Sequence, residues 1–460
     1  MPNIFANLVF FSWPMVVFWM LKRYPTDKAI FLATTLAILY LPNNFGIDLP
    51  FIPPLDRDSL TALSLFVFLF FVRKKVRVFI PGLPTKIILM YFVVVVISVL
   101  LNTYPVTVGG KFLPGLTVHD AFSSVVRIFL WMMPFFMGRY FFNSLKSNEP
   151  IFKALVVIIL IYTLPMLIEL RMSPQIHNWI YGYSPGEFIQ QMRGDGFRPI
   201  VFVGHGLALA FIISTTIIAA FALHKNKVRF TLMPPSGVVI YLLVIIFLCK
   251  TLSAMIYALF AMYAIYKLAP SKQIKWALLL AGLILLYPVS KTMDIFPDKE
   301  IISKIREYSP ERAGSMETRF NNEEILLERA LKQPYFGWSG WGRSRIYGSS
   351  GDDITITDGK WIIEFGSNGI VGFVFYYLIL LMPLAYARKN VIHIQDPKDK
   401  VYFSALALIL GICIIDSVPN TGMGAMHLLL AGALLGQSEL LAKQKKLQGN
   451  RNEKSIISQQ

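Results

Sequence analysis

The chain has 460 residues, 55% of them hydrophobic and 15% charged, with a mean hydropathy of +0.56 and a formal net charge of +17. Long apolar runs recur from end to end, which excludes a soluble domain and makes the chain an all-α polytopic membrane protein, because each spanning helix needs about 20 such residues. No ten-residue segments of alternating polarity occur, which argues against a β-barrel, and Cys249 and Cys413, both in or near apolar runs, have neither disulfide nor metal-ligand spacing.

The first 21 residues lack a basic leader and a small-residue cleavage site, so they read as a retained helix rather than a removed signal peptide. Spans are predicted at 4–21, 29–45, 59–72, 84–101, 121–142, 151–170, 200–222, 236–250, 252–268, 274–290, 361–387, 401–416 and 420–440. That makes twelve or thirteen, because the tight turn at Lys250 and Thr251 allows 236–268 to be one kinked hairpin. Basic loops alternate along this order: Lys22, Arg23 and Lys28; Arg73 to Lys86; Arg139 to Lys153; Lys225 to Arg229; Lys267 to Lys275; Arg388 to Lys400; and the tail. All fall on one side, which predicts that side to be cytoplasmic, with the N-terminus outside and the C-terminus inside. The positive charge therefore reports topology, and no nucleic-acid partner is expected.

Two outer segments exceed a short loop. One is 171–199. The other, 291–360, has nearly balanced charge and separates spans 1–290 from spans 361–442; the polar tail 443–460 is expected to be disordered. Within the long segment, 321–333 (NNEEILLERALKQ) has helical spacing that Pro334 ends. The following YFGWSGWG reads as a Gly/aromatic turn for the bilayer surface.

Arginines are the most conspicuous polar residues outside the membrane. Arg193 and Arg198 lie at the mouth of the seventh span, Arg312 and Arg319 follow the tenth, and Arg127 sits within the fifth. Guanidinium is permanently charged and forks onto phosphate oxygens, so arginines converging from two segments would clamp a lipid-borne diphosphate. The competing reading pairs each with a local acid: Arg193 with Asp195, Arg312 with Glu311, Arg319 with Glu323 or Glu317. Arg127 is costly in lipid and is expected to face a polar cavity.

The candidate bases are Asp358, which otherwise reads as the N-cap of the eleventh span, His205 between two glycines in VGHGLALAF, and Glu364 two turns into the eleventh span. His119/Asp120 and Asp416/His427 rank below them, and Asp352-Asp353 is a weak metal signal. No HExxH, GxSxG or P-loop occurs.

The segments ETRFNNEEILLERALKQPYFGWSGWG and TDGKWIIEFGSNGIVGFVFYYL resemble the signature of the O-antigen ligase/polymerase superfamily, through Arg319, Pro334, Gly337, Gly342, Asp358, Gly369 and Gly372. RGDGFRPIVFVGHG is similar to that family's loop entering a span, through Arg193, Gly196 and Phe197. The resemblance covers roughly 190–390. It departs where Asp358 stands in place of a histidine and Glu323 in place of a tryptophan, which tilts it toward polymerase over ligase.

The resemblance implies a GT-C-like, metal-independent inverting glycosyltransferase with no cofactor, at the outer face of the bacterial inner membrane. Its partners would be an undecaprenyl-diphosphate-linked oligosaccharide as substrate, membrane lipid, and a possible chain-length regulator protein. It implies catalytic Arg193 and Arg319, a base in Asp358 or His205, diphosphate contacts from Arg198, Arg312 and Arg127, and sugar-stacking Trp338, Trp341 and Tyr335. The alternatives are a ligase that moves finished chains to lipid A core, and a lipid-linked oligosaccharide flippase or transporter.

Overall fold

The structure, a computed structural model, describes residues 1–48, 53–73, 79–193, 196–421 and 423–457; the side chains of 72, 73, 193 and 449–457 lie outside that description. The helices in chain order are α1 (Ile4–Arg23), α2 (Thr26–Tyr40), α3 (Arg57–Arg73), α4 (Leu83–Leu100), α5 (Val118–Phe141), α6 (Asn148–Met172), α7 (Ile176–Tyr181), α8 (Gly206–Lys225) and α9 (Pro235–Leu248). They continue as α10 (Leu252–Lys267), α11 (Pro270–Gly282), α12 (Tyr287–Thr292), α13 (Asp298–Tyr308), α14 (Pro310–Leu331), α15 (Lys360–Asn390), α16 (Pro397–Asp416) and α17 (Ala425–Ile457). Strand structure among the described residues is confined to three short hairpins, Gly46–Ile47 with Leu55–Asp56, Val106–Val108 with Lys111–Leu113, and Met192–Arg193 with Gly196–Phe197.

Among the described residues, seven helices are long and apolar enough to cross a membrane: α1, α4, α5, α6 with its leading turn, α8, α15 and the first part of α17. The chain is thus the expected all-α protein of membrane-spanning character, and each predicted span falls on a helix. The tenth, 274–290, is broken: α11 stops at Gly282, and Pro288 stands in the separate α12. Helix α17 continues through 443–457 of the polar tail, and residues 458–460 lie outside the described residues.

Helices α5 and α17 pack backbone to backbone. A Cβ on Gly432 would lie 2.0 Å from the carbonyl oxygen of Phe135, so only glycine permits this approach. Where the pair ends, Arg139, 1% exposed, donates to both oxygens of Glu439 at 2.8 and 2.6 Å and to Thr85 Oγ1 at 2.7 Å. Asn148 and Gln437 exchange side-chain hydrogen bonds at 3.0 and 2.7 Å beside them. A buried charge held this completely is anchored rather than reactive.

The Gly/aromatic turn is docked against α15 rather than laid on the bilayer surface. Gly369 has φ 64° and ψ −172°, which breaks the helix and frees its backbone groups. Apolar surroundings require those groups to find partners, and the turn supplies them. Trp338 N donates to Gly366 O (2.9 Å), Ser339 N to Ser367 O (2.7 Å), Ile370 N to Pro334 O (2.7 Å) and Val371 N to Tyr335 O (3.2 Å). Asn102 and Ser98 of the α4 end add bonds to Gly337 O and Ser367 O, at 3.0 and 2.9 Å.

A Cβ at Gly369 would sit 2.2 Å from Tyr335 O, whereas one at Gly282 meets nothing within 4 Å. Gly369→Ala is expected to lose about 1–3 kcal/mol of stability through strain at a left-handed φ. Gly282→Ala is expected to be neutral or slightly stabilising. Thermal unfolding of both variants in detergent reads the difference.

Candidate functional site

The helix of the long segment 291–360 starts earlier than its apolar spacing suggests. Ser309 caps α14, accepting from Arg312 N at 3.4 Å, and Pro310 occupies its first position. The helix therefore runs through Arg312 and Arg319 before stopping short of Pro334. Residues 315, 318, 319 and 322 then share one face. Ser315, Thr318 and Arg319 open onto a cavity, and Asn322 Oδ1 accepts from Ile356 N at 2.8 Å, holding the 356–358 segment alongside.

That cavity has a volume of about 530 Å³. Its wall brings together the α3 start (Arg57, Asp58), the α8 entry (Arg198, His205), the α14 face, Asp358, and the α16–α17 turn with Asp416 and His427. The ends of α2 and α16 and the starts of α3, α8, α15 and α17 meet here, so the site lies at the end of the bundle opposite the basic loops. The wall is apolar along Ile38, Leu207, Phe211, Ile212, Met423 and Met426.

Arg319 Nε meets Asp358 Oδ2 at 3.1 Å, both side chains partly exposed. The local acids proposed for Arg319 are otherwise engaged: Glu317 pairs with Arg306 at 2.7 Å, and Glu323 accepts from Trp361 Nε1 and Tyr287 Oη, each at 3.0 Å. Asp358 is not an N-cap, because Gly359 holds that position. The α15 start is fixed instead by Lys360 N, which donates to Ser417 O (2.9 Å) and Asn420 O (2.8 Å). The carboxylate is left to Arg319.

His205 is the N-cap of α8, its Nδ1 accepting from Leu207 N at 3.3 Å. This bond occupies the lone pair that a general base would use. The flanking glycines have a packing reason: a Cβ on Gly206 would meet Arg198 Cδ at 2.0 Å, so Gly206 makes the room in which Arg198 crosses the helix mouth. Arg198 is 6% exposed and reaches Lys250 O at 3.5 Å.

The other expected residues lie elsewhere. Arg193 has its main chain in the 192–197 hairpin, while its side chain lies outside the described residues. Arg312 is exposed and absent from the cavity wall. Arg127 is exposed and stacks at 6.0 Å over the Trp341 ring, beside the docked turn. Trp338 is buried, its indole N–H donating to Arg329 O at 2.8 Å and its face covered by the Arg329 guanidinium at 3.4 Å. It presents no free face to a sugar. Trp341 and Tyr335 are exposed but do not line the cavity.

Arg329 and Arg343 hold the turn together. Arg329 donates twice to Arg343 O (3.2 and 3.0 Å), and Arg343 donates to Pro114 O (2.8 Å) and Tyr104 O (2.9 Å). Arg345 pairs with Asp353, which also accepts from Thr355. Of the five arginines crowded into 311–348, Arg319 alone lines the cavity. Glu364 is likewise occupied, by Tyr91 Oη (2.8 Å), Asn368 Nδ2 (2.9 Å) and Lys360 Nζ (2.7 Å).

Sequence reasoning undervalued three cavity groups. Asp416, bonded to Asn420 Nδ2 at 2.8 Å, and His427, whose Nε2 meets Thr215 Oγ1 at 3.0 Å, ranked among the weaker candidate bases, with no sequence signal to join them to the arginines. Arg57 belongs to a stretch that reads as an acidic outer loop, yet it donates to Phe202 O (3.0 Å) and Val203 O (3.2 Å) and ties α3 to the α8 entry.

Comparison of the sequence with protein-family models gives no match, and comparison with curated proteins gives none either.

Burial raises the Glu323 carboxyl above its ordinary value, against the two hydrogen bonds that favour the anion. The folded state therefore holds that proton to higher pH than the unfolded chain. Its stabilising contribution is complete below about pH 4.3 and is lost as pH rises through the raised folded value. Glu323→Gln cannot ionise. The stability difference between wild type and variant is expected to shift toward the variant over that window, read from melting temperatures between pH 4 and 8.

Proposed function

We propose that the chain is a GT-C-like glycosyltransferase of the polysaccharide polymerase type. It moves a glycan from undecaprenyl diphosphate to a hydroxyl of an acceptor repeat unit, at the outer face of the bacterial inner membrane, with the N-terminus outside. The observation that carries this reading is the Arg319–Asp358 pair, set at 3.1 Å in the wall of a cavity that also receives Arg198.

The chemistry follows from the wall. In a glycosyl diphosphate the anomeric carbon loses its oxygen once the growing negative charge is met. Fixed guanidinium groups do this without reorganisation. Arg319 uses Nε for Asp358, which leaves its two terminal nitrogens to fork onto phosphate oxygens. Arg198 lines the same cavity, in the room that Gly206 leaves for it. The apolar wall of Phe211, Ile212, Met423 and Met426 suits the first isoprene units of a prenyl chain, so the cavity is polar where a diphosphate would lie and apolar where its lipid would leave. The sequence resemblance to the O-antigen polymerases and ligases supports the same reading. A flippase is less favoured, because the polar groups gather at one end of the bundle rather than along a path through it.

Reconstitution in vesicles with an undecaprenyl-diphosphate-linked repeat unit and no added metal is expected to give longer glycans. Transfer to lipid A core in place of elongation would establish the ligase alternative, and no transfer to either acceptor would remove the transferase reading. Arg319→Lys is expected to reduce elongation almost as far as Arg319→Ala, about 100-fold or more, because one ammonium cannot serve Asp358 and fork onto a diphosphate together. Elongation by Arg319→Lys at a rate near wild type, at equal protein level, would count against that geometry.

A further inference from the structure

The transfer needs a group to take the proton of the attacking hydroxyl, and most candidates in the cavity are already engaged. Asp358 carries the Arg319 ion pair, and His205 Nδ1 caps α8. Asp416 is bonded to Asn420, and His427 Nε2 to Thr215. Each of these groups already serves a partner within the fold.

Asp58 differs. It stands in the first turn of α3 and lines the cavity, yet its Oδ1 is buried and has no hydrogen-bond partner among the described residues. Next to it lies a second cavity of about 10 Å³, walled by Asp58, Thr34, Thr61, Ala62, Leu65, Pro134 and Ala425. Thr34 Oγ1, also buried without a partner, faces this same pocket. The neighbouring Arg57 is spent on the Phe202 and Val203 carbonyls, so it does not hold the Asp58 carboxylate in an ion pair. A buried carboxylate oxygen without a donor is a standing desolvation penalty, and it is relieved by taking up a proton.

We propose that Asp58 is the catalytic base of the transfer. This rests on the transferase reading above. As the acceptor oxygen bonds to the anomeric carbon, the bond from that carbon to the phosphate oxygen breaks. The electron pair leaves with the diphosphate toward Arg319 and Arg198, and the hydroxyl proton passes to the Asp58 carboxylate. The division of labour separates the cation that receives the leaving group from the carboxylate that receives the proton, across one cavity.

The test is elongation of a lipid-linked repeat unit by the full-length protein in vesicles, with donor binding measured in parallel. Asp58→Asn is expected to cut turnover about 100-fold or more while leaving donor binding and the melting temperature near wild type. Asp58→Ala is expected to regain part of its rate when formate is supplied as an external carboxylate, and this serves where the Asn variant is not recovered folded. The proposal is overturned if Asp58→Asn elongates within tenfold of wild type while Arg319→Ala is inactive. It is also overturned if the loss in Asp58→Asn is matched by loss of donor binding, or if formate leaves Asp58→Ala unchanged. Wild-type elongation by both Arg319→Ala and Asp58→Asn would instead remove the cavity as the transfer site.

Discussion

The candidate site depends on the clasp that Glu323 makes with Trp361 and Tyr287. One carboxylate accepts from the indole at the start of α15 and from the phenol at the start of α12, each at 3.0 Å, and so joins three elements at one point. The rings around it close the joint: Tyr287 stands edge-on to Trp361 at 5.0 Å, and Phe296 packs between Tyr287 and Phe320. The clasp sets the rotation of α14. Because Arg319 lies one turn before Glu323, fixing the second decides where the first points. An acid that sequence spacing offers as the Arg319 partner is instead the group that turns Arg319 toward Asp358.

The charge crowded into residues 311–348 then divides by depth. Arginines that burial takes from water satisfy backbone carbonyls, as Arg329 and Arg343 do, and they stiffen the turn that repairs the broken helix α15. The arginine at the partly exposed edge, Arg319, meets Asp358 through Nε alone. The same economy governs the carboxylates: Glu364 and Glu439 are fully bonded structural acids, while Asp358 and Asp58 stand at the cavity wall. A buried ionic group held by several partners has no lone pair or proton to lend, so chemistry is confined to the few groups that packing leaves underused.

Much of this was legible in the chain. Hydropathy located the long apolar helices, since apolar length is a local property, and Arg198, His205, Arg319 and Asp358 were identifiable as polar residues beside predicted spans. Glycine-rich segments were identifiable as well, but their purpose was not. Gly369 permits a broken helix to accept a docked turn, and Gly206 makes room for Arg198. Trp338 illustrates the limit. An indole in a Gly/aromatic turn suits a bilayer surface or a sugar equally well, and only the contact with Arg329 reveals a packing role.

The sequence by itself determined the solvent and the architecture: long apolar runs without two-residue alternation become helices in a membrane, because a helix satisfies its backbone within each run. It also set which residues carry permanent charge. Tertiary structure decided which of those charges are spent. Whether an arginine meets a carbonyl, an acid or open space depends on residues tens to hundreds of positions away, as when Arg57 bonds to Phe202 and Val203, and no local pattern encodes that distance.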